Sequence, residues 1–136
     1  ALKVQPNEII FTSCGTESNN LIIKGCVEFL GVERIITSPL EHKCVAESVR
    51  DMKNRRGVEV VYIRPDKKGD ITVEALEKAL QASEKKTLVT LMHANNEVGN
   101  IYDIDGFGHL CQKYNAYFHS DTVQNYFLNY LLNYFL

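Results

Sequence analysis

The 136-residue sequence has no tryptophan, only three prolines and no excess of basic residues, and its formal net charge is −2. This charge argues against direct binding to nucleic acid, because proteins that recognise nucleic acid usually carry a basic surface. The four cysteines form no C-x-x-C pair, so their spacing predicts neither a metal site nor a disulfide framework. We expect small buried thiols in helices and, since no basic and apolar leader opens the chain, a cytoplasmic location. The cysteines are Cys14, Cys26, Cys44 and Cys111.

Short β-rich runs alternate with helical patterns along a chain that is long enough for one domain with a buried core. The alternation predicts the α/β class, with a mostly parallel sheet. We expect strands at 8–13 (EIIFTS), 33–39, 58–65, 87–93 and 116–120, and helices at 16–31, 41–56, 72–81 and 107–114. Gly31 is a natural helix stop, and Thr72 is expected to cap the helix that follows it.

In parallel α/β sheets, ligands bind beyond the carboxyl ends of the strands. Four of the predicted strands are followed by polar segments, whereas the strand at 58–65 is followed by an exposed charged turn that looks less involved. The four polar segments are SCGTES (13–18), EHK (41–43), HANNE (93–97) and DTVQ (121–124).

Gly15 and Thr16 lie at a strand-to-helix turn, where free backbone N–H groups and the positive end of a helix can bind a phosphate. An ordinary helix cap at Thr16 or Ser18 explains the same residues and is favoured locally. His42 begins the next helix. It is either a surface or capping residue, or a planar partner that stacks on an aromatic ring and handles protons near neutral pH.

Amides and a carboxylate follow the last two strands. Asn95 and Asn96 fit a turn, but either amide could bind a substrate carboxylate or a phenolic oxygen without adding a charge. Asp121 could cap a turn, or it could hold a protonated heterocyclic nitrogen, and Gln124 could donate to a neighbouring ring oxygen. A phosphate, a planar ring, a ring nitrogen and a ring oxygen together describe pyridoxal 5'-phosphate.

Four blocks also resemble a known family, the cysteine desulfurases of the NifS and IscS type within the class V aminotransferases. The resemblance covers about 8–124 and is carried by FTSCGTESNNLIIKG, the EHK of LEHKCVAES, LMHANNEVGNIYDI and YFHSDTVQ. It implies part of the large pyridoxal-phosphate-binding domain of a fold type I enzyme. It also implies a transferase that converts L-cysteine into L-alanine and an enzyme persulfide, whose sulfur serves iron–sulfur cluster biogenesis or tRNA thiolation.

The resemblance implies a role for each matched position. Gly15 and Thr16 correspond to the pair that holds the cofactor phosphate, and His42 to the catalytic histidine that stacks on the pyridine ring. Asn96 corresponds to the amide near the ring oxygen and the substrate carboxylate. The remaining two matches are Asp121, on the pyridine nitrogen, and Gln124, on the phenolic oxygen. The partners it implies are L-cysteine, a sulfur-acceptor or iron–sulfur scaffold protein, and a second copy in a homodimer.

Two groups that this family needs have no counterpart in the matched blocks, namely the Schiff-base lysine and the sulfur-accepting cysteine. We therefore expect a truncated domain that is inactive by itself. The alternatives are a non-catalytic remnant or binding module of the same fold, and another class V pyridoxal-phosphate lyase or aminotransferase.

The segment NYFLNYLLNYFL (125–136) repeats a four-residue phrase three times. We divide the chain into a partial large domain at 1–124 and a low-complexity tail at 125–136. The tail is shorter than the ~20 apolar residues that span a bilayer, so no membrane anchor is expected. It could dock on an exposed core surface, aggregate, or come from a slipped AT-rich reading frame, which is the hypothesis we favour.

Overall fold

A computed structural model describes residues 5–95 and 99–123 of the chain. Four parallel strands form one sheet in the order β2-β1-β3-β4. A short 3-10 helix (Pro6–Glu8) precedes the regular elements. These are α1 (Gly15–Leu30), β1 (Arg34–Thr37), α2 (Lys43–Arg56), β2 (Glu59–Tyr62), α3 (Val73–Gln81), β3 (Thr87–Thr90), α4 (Ile104–Lys113) and β4 (Tyr117–His119). The predicted α/β class and mostly parallel sheet are confirmed.

The two inner strands separate two apolar cores. All four residues of β1 and all four of β3 are buried, as expected for strands covered on both faces. Ile35 and Leu88 face the core beneath α1 and α2, whereas Ile36 and Val89 face the core beneath α3 and α4. This alternation is the two-residue period of a strand.

The predicted helix stop at Gly31 and the predicted cap at Thr72 agree with the structure, whereas α2 begins two residues later and α4 three residues earlier than predicted. Gly31 has a φ of 69°, and its N–H bonds to the carbonyl of Cys26, so it ends α1 as a left-handed cap. The hydroxyl of Thr72 accepts a hydrogen bond from the backbone N–H of Ala75 at 3.2 Å and caps α3.

The predicted first strand, at 8–13, is wrong. The 3-10 helix ends at Glu8, and the residues after it are irregular, with Ile10 71% and Phe11 95% exposed. A strand needs a neighbour to bond its backbone, and among the described residues β2 and β4 form the two edges of the sheet with no strand at 8–13 beside either. The apolar residues of EIIFTS are therefore largely uncovered by the described part of the chain.

Gln124 and the tail at 125–136 lie outside the described residues, so the proposed boundary between domain and tail stays a prediction. Among residues 5–95 and 99–123, no helix has both the length and the apolar character needed to cross a bilayer.

Candidate functional site

All four polar strand-end segments contribute residues to one pocket of about 210 Å³, the HANNE segment through Ala94. Gly15 and Thr16 come from the start of α1, His42 from the start of α2, and Asp121 from the residues after β4. The predicted site residues Asn96 and Gln124 lie outside the described part of the chain. The pocket is lined by Cys14, Gly15, Thr16, Asn19, His42, Cys44, Met92, Ala94, Asp121 and Val123.

The start of α1 has no side-chain cap at its first position. Cys14, and neither Thr16 nor Ser18, is the N-cap residue, and its side chain makes no capping hydrogen bond, so the local capping interpretation is wrong. The backbone N–H of Glu17 and the Ser13 hydroxyl lower the pKa of the Cys14 thiol. The first turn of α1 therefore stabilises negative charge beside the pocket, as an anion site requires.

Gly15 sits where the start of α1 comes close to the segment after β4. A Cβ atom added to Gly15 would lie 3.2 Å from Cγ2 of Val123, which is tighter than ordinary van der Waals contact. Glycine thus lets the helix start approach the residues that follow Asp121.

His42 both caps α2 and lines the pocket. Its Nδ1 accepts a hydrogen bond from the backbone N–H of Cys44 at 3.3 Å and lies 2.9 Å from the Cys44 sulfur. Accepting that bond requires an unprotonated Nδ1, so the neutral ring carries its proton on Nε2. The ring is exposed at the pocket rim, where it can contact a bound molecule. His42 therefore caps α2 as one interpretation predicted, and it also lines the pocket, while its stacking on an aromatic ring stays a prediction.

Asp121 is half-buried and is held by neutral donors. Its Oδ2 accepts from Nδ2 of Asn19 at 2.9 Å, and its Oδ1 accepts from the backbone N–H of Val123 at 3.2 Å. In residues 5–95 and 99–123, no ion pair balances this carboxylate. A partly buried carboxylate of this kind favours a positively charged group in the pocket beside it.

Asn19 is a pocket residue that sequence reasoning missed. It is 5% exposed, and its amide donates to Oδ2 of Asp121 and approaches the sulfur of Cys44 at 3.1 Å. The available signal was its position, because Asn19, Ile23 and Cys26 lie at helical spacing and are all buried. A polar residue on an otherwise apolar face needs a buried partner.

Glu41 joins the ends of the two inner strands behind the pocket. Its Oε1 accepts from the backbone N–H of Met92 and from the Ser38 hydroxyl, both at 3.0 Å. Burial, together with the negative charge of Asp121, raises the pKa of Glu41 to about 7. Oε2 is also buried and has no hydrogen-bond partner among the residues described.

The two described ends of the HANNEVG segment are hydrogen-bonded to each other, as expected if a turn joins them. Gly99 has a φ of 78°, and its N–H donates to the carbonyl of Asn95 at 2.9 Å. Asn95 is buried, and its amide donates to the carbonyl of Leu40 at 3.0 Å. This alternative candidate for ligand binding therefore connects two loops of the protein.

The expectation of four buried thiols is half wrong. Cys26 and Cys111 are buried in helices, as predicted, but Cys14 is exposed and Cys44 is only partly buried. Both exceptions lie at helix starts beyond the strand ends, where the sheet no longer covers them.

Comparison with known proteins identifies the family. Residues 1–129 match the sequence profile described as Aminotransferase class-V. The chain belongs to the class V aminotransferase family. It is 44% identical over 126 residues to a protein named cysteine desulfurase IscS from Shewanella loihica, a match that covers 91% of this chain and 30% of the relative. The chain thus spans about 30% of that curated relative's length.

Two solved structures place the class V chain in the same fold. DndA from Streptomyces lividans superposes with a TM-score of 0.83 at 38% identity, over 91% of this chain and 35% of that one. A structure described as SspA in complex with cysteine gives a TM-score of 0.81 at 35% identity, over 91% and 35% of the two chains. The architecture is that of the fold type I pyridoxal-phosphate enzymes.

The class V aminotransferases use pyridoxal 5'-phosphate, and the pocket fits this cofactor. The uncapped start of α1 at Gly15 and Thr16 suits the phosphate. The Asp121 carboxylate, which accepts from neutral donors in the described part of the chain, suits a protonated pyridine nitrogen. The exposed ring of His42 lies at the same pocket and suits contact with a planar heterocycle.

Proposed function

We propose that this chain forms the cofactor-holding part of a cysteine desulfurase. Such an enzyme uses pyridoxal 5'-phosphate to remove sulfur from L-cysteine, leaving L-alanine and an enzyme persulfide. The observation that carries the proposal is the convergence of the α1 start, His42 and Asp121 on one pocket in a class V chain. The curated relative named cysteine desulfurase, and the neighbour described as a complex with cysteine, favour this substrate.

Each pocket residue has a proposed role in cofactor binding. The backbone N–H groups at Gly15 and the hydroxyl of Thr16 bind the phosphate, where the helix end favours a dianion. The carboxylate of Asp121 pairs with the pyridine nitrogen and raises its pKa, so that the nitrogen stays protonated. Asn19 holds that carboxylate in place through its 2.9 Å hydrogen bond. Asn96 and Gln124 stay predicted ligands of the ring oxygen.

When bound, pyridoxal phosphate supplies an electron sink for the electrons released at the substrate Cα. The residue that this chain contributes to proton movement is His42. Because Nδ1 accepts the backbone N–H of Cys44, Nε2 is the ring atom that carries a proton toward a bound molecule. We assign to His42 both ring contact and proton transfer.

The complete reaction also needs a lysine to attach the cofactor and a cysteine to accept the sulfur. The family resemblance places neither group among the matched residues of this chain. We propose that the whole enzyme works in the cytoplasm as a homodimer and passes its sulfur to an acceptor or iron–sulfur scaffold protein. By itself the 136-residue chain should release no more sulfide from L-cysteine than free pyridoxal phosphate does, which a methylene blue assay checks.

Binding of pyridoxamine 5'-phosphate tests the cofactor site. This compound carries the same ring and phosphate, but its amine cannot form an imine with surface lysines, so it reports the pocket alone. Fluorescence titration of the purified chain, with folding checked by circular dichroism, should give one site. Pyridoxamine, which lacks the phosphate, should bind at least about 10-fold more weakly because the α1 start contributes charge-assisted hydrogen bonds. Equal affinity for the two compounds, or no saturable binding by the folded chain, contradicts the proposal.

A further inference from the structure

Three metal-ligating side chains come together in the pocket. One ligand atom each from His42, Cys44 and Asp121 lies within 4.8 Å of the other two. We propose that, when no cofactor is bound, these three residues bind a thiophilic divalent cation such as Zn²⁺, and that cation and cofactor exclude each other. The exclusion rests on the proposed function, whereas the cation site does not.

The donor set is one that zinc prefers. Imidazole nitrogen, thiolate sulfur and carboxylate oxygen are its usual protein ligands, and three of them leave a fourth position for water. His42 and Cys44 come from the start of α2, while Asp121 comes from the far end of the chain beyond β4. The fold therefore assembles the site, which explains why cysteine spacing alone gave no metal motif.

The pair formed by His42 and Cys44 needs only a small adjustment, and Asp121 lies within 4.8 Å of both. Nδ1 of His42 lies 2.9 Å from Sγ of Cys44. Two such ligands on one tetrahedral zinc, with bonds of ~2.0 and ~2.3 Å, are ~3.5 Å apart, so this pair would open by ~0.6 Å. The exposed ring of His42 is free of core packing and can turn to do so. Cation binding displaces the thiol proton to solvent and replaces the hydrogen bond from the Cys44 N–H to Nδ1.

Asn19 supports two of the three ligands from behind. Its Nδ2 donates to Oδ2 of Asp121 at 2.9 Å and lies 3.1 Å from the Cys44 sulfur. A buried amide bonded to two anionic ligands fixes their orientation, as outer-shell partners do at known metal sites. Since Asp121 and His42 are also the proposed contacts of the cofactor ring, a cation on them blocks that ring.

Cobalt binding tests the site directly. Co²⁺ bound by a thiolate gives an intense near-ultraviolet charge-transfer band, so titration of the reduced chain should produce this band at one equivalent. Zn²⁺ should then abolish it. Cys44→Ala should remove the band and weaken Zn²⁺ binding at least about 10-fold, because it removes one of three ligands. Cys14→Ala, which removes the other thiol of the pocket, is the matched control. This variant should keep both the cobalt band and the affinity for Zn²⁺.

Pyridoxamine phosphate separates this proposal from the proposed function. The circular dichroism spectrum of the Cys44→Ala chain should match that of the unaltered chain, which shows that the variant is folded. Saturating pyridoxamine phosphate should raise the apparent Kd for Zn²⁺ at least about 10-fold. A thiolate band that survives in Cys44→Ala, or no band in the unaltered chain, overturns the cation site. An unchanged Kd for Zn²⁺ overturns the exclusion. Zn²⁺ binding through Cys44 by a chain that fails to bind pyridoxamine phosphate supports the site and contradicts only the proposed function.

Discussion

Asp66 and Asp121 both follow parallel strands of the sheet and both accept the backbone N–H of the residue two positions later, yet their second hydrogen-bond partners differ. Oδ1 of Asp66 accepts the backbone N–H groups of Lys68, at 2.7 Å, and Asp70, at 2.9 Å. These two N–H groups, with that of Asp70 first, lower the pKa of Asp66. Asp121 instead accepts a hydrogen bond from Asn19, a residue 102 positions earlier in the chain.

The difference shows what turns a strand-end aspartate into part of a site. The partners of Asp66 are its own neighbours, so they complete a turn and bring no distant part of the chain to this carboxylate. Asp121 also accepts a hydrogen bond from its own neighbour Val123, but its second partner, Asn19, comes from α1, and the start of α2 lies at the same pocket. Distant elements therefore surround Asp121 with other functional groups. The prediction that the turn after β2 is less involved agrees with the lining of the pocket, which takes none of its described residues from that turn.

The largest expected effect is at Asp121. Asp121→Ala should weaken binding of pyridoxamine phosphate about 10- to 100-fold, because it removes a charge-assisted hydrogen bond to the ring nitrogen. Asp66→Ala is the matched control, with an expected change below about 2-fold in a fluorescence titration. Equal losses of affinity in the two variants would show that Asp121 and Asp66 do not differ in cofactor binding.

The next largest expected effect is a pH dependence of the free energy of unfolding that comes from Glu41. The pKa of this buried carboxyl is raised from 4.5 to about 7. The folded chain thus binds this proton more tightly than the unfolded chain. Its contribution to stability is complete below pH 4.5 and is lost as the pH rises through about 7. Between about pH 5 and pH 8, the free energy of unfolding should fall by about 2 kcal/mol relative to Glu41→Gln.

The Glu41→Gln comparison isolates one group. Burial lowers the pKa of His119, which gives the opposite pH dependence, but His119 is present in both chains and cancels in the difference. Urea unfolding of each chain at several pH values measures the difference in the free energy of unfolding between the two chains. A difference that is constant from about pH 5 to pH 8 would show that Glu41 is not a raised-pKa group.

A smaller effect is expected on stability at Asp66. Asp66→Ala removes the acceptor of two backbone N–H groups and should lower the midpoint of urea unfolding by roughly 0.5 M. The m-value should stay the same, since the surface exposed on unfolding does not change. An unaltered midpoint would mean that the turn after β2 does not depend on this carboxylate.

The smallest expected effect separates two threonines at helix starts. Thr16→Val should weaken pyridoxamine phosphate binding about 5-fold through one lost hydroxyl hydrogen bond. Thr72→Val should leave binding unchanged and cost about 1 kcal/mol of stability, because that hydroxyl caps α3. If both variants lose affinity equally, the effect at Thr16 is not contact with the phosphate.

Much of the fold could be read from local signals. The apolar runs of β1 and β3, the glycine after α1 and the threonine before α3 act within a few residues, so sequence reasoning found them. The segment EIIFTS has the same local character. It failed because a strand also requires a neighbour, which no local pattern specifies.

The residues of the candidate site also divide into those that local sequence patterns predicted and those that they did not. His42 and Asp121 were predicted because strand ends in an α/β sheet point to one edge, and Gly15 and Thr16 were predicted by the same rule although no strand precedes them among the described residues. Asn19 and Cys44 were missed, since each lies within a helix and acquires its pocket role only when α1, α2 and the residues after β4 meet. Tertiary contact between distant segments decides such roles.

The protonation state of the bound ring nitrogen tests the account most directly. Pyridoxamine phosphate labelled with ¹⁵N in the ring reports it by its chemical shift in complex with the unaltered chain and with Asp121→Asn, which keeps the shape of the side chain but removes its charge. The account predicts a protonated nitrogen at about pH 8 in the unaltered complex and a neutral nitrogen in the variant complex. A neutral nitrogen in both complexes, or the same shift in both, would contradict the assignment of Asp121 to the cofactor ring.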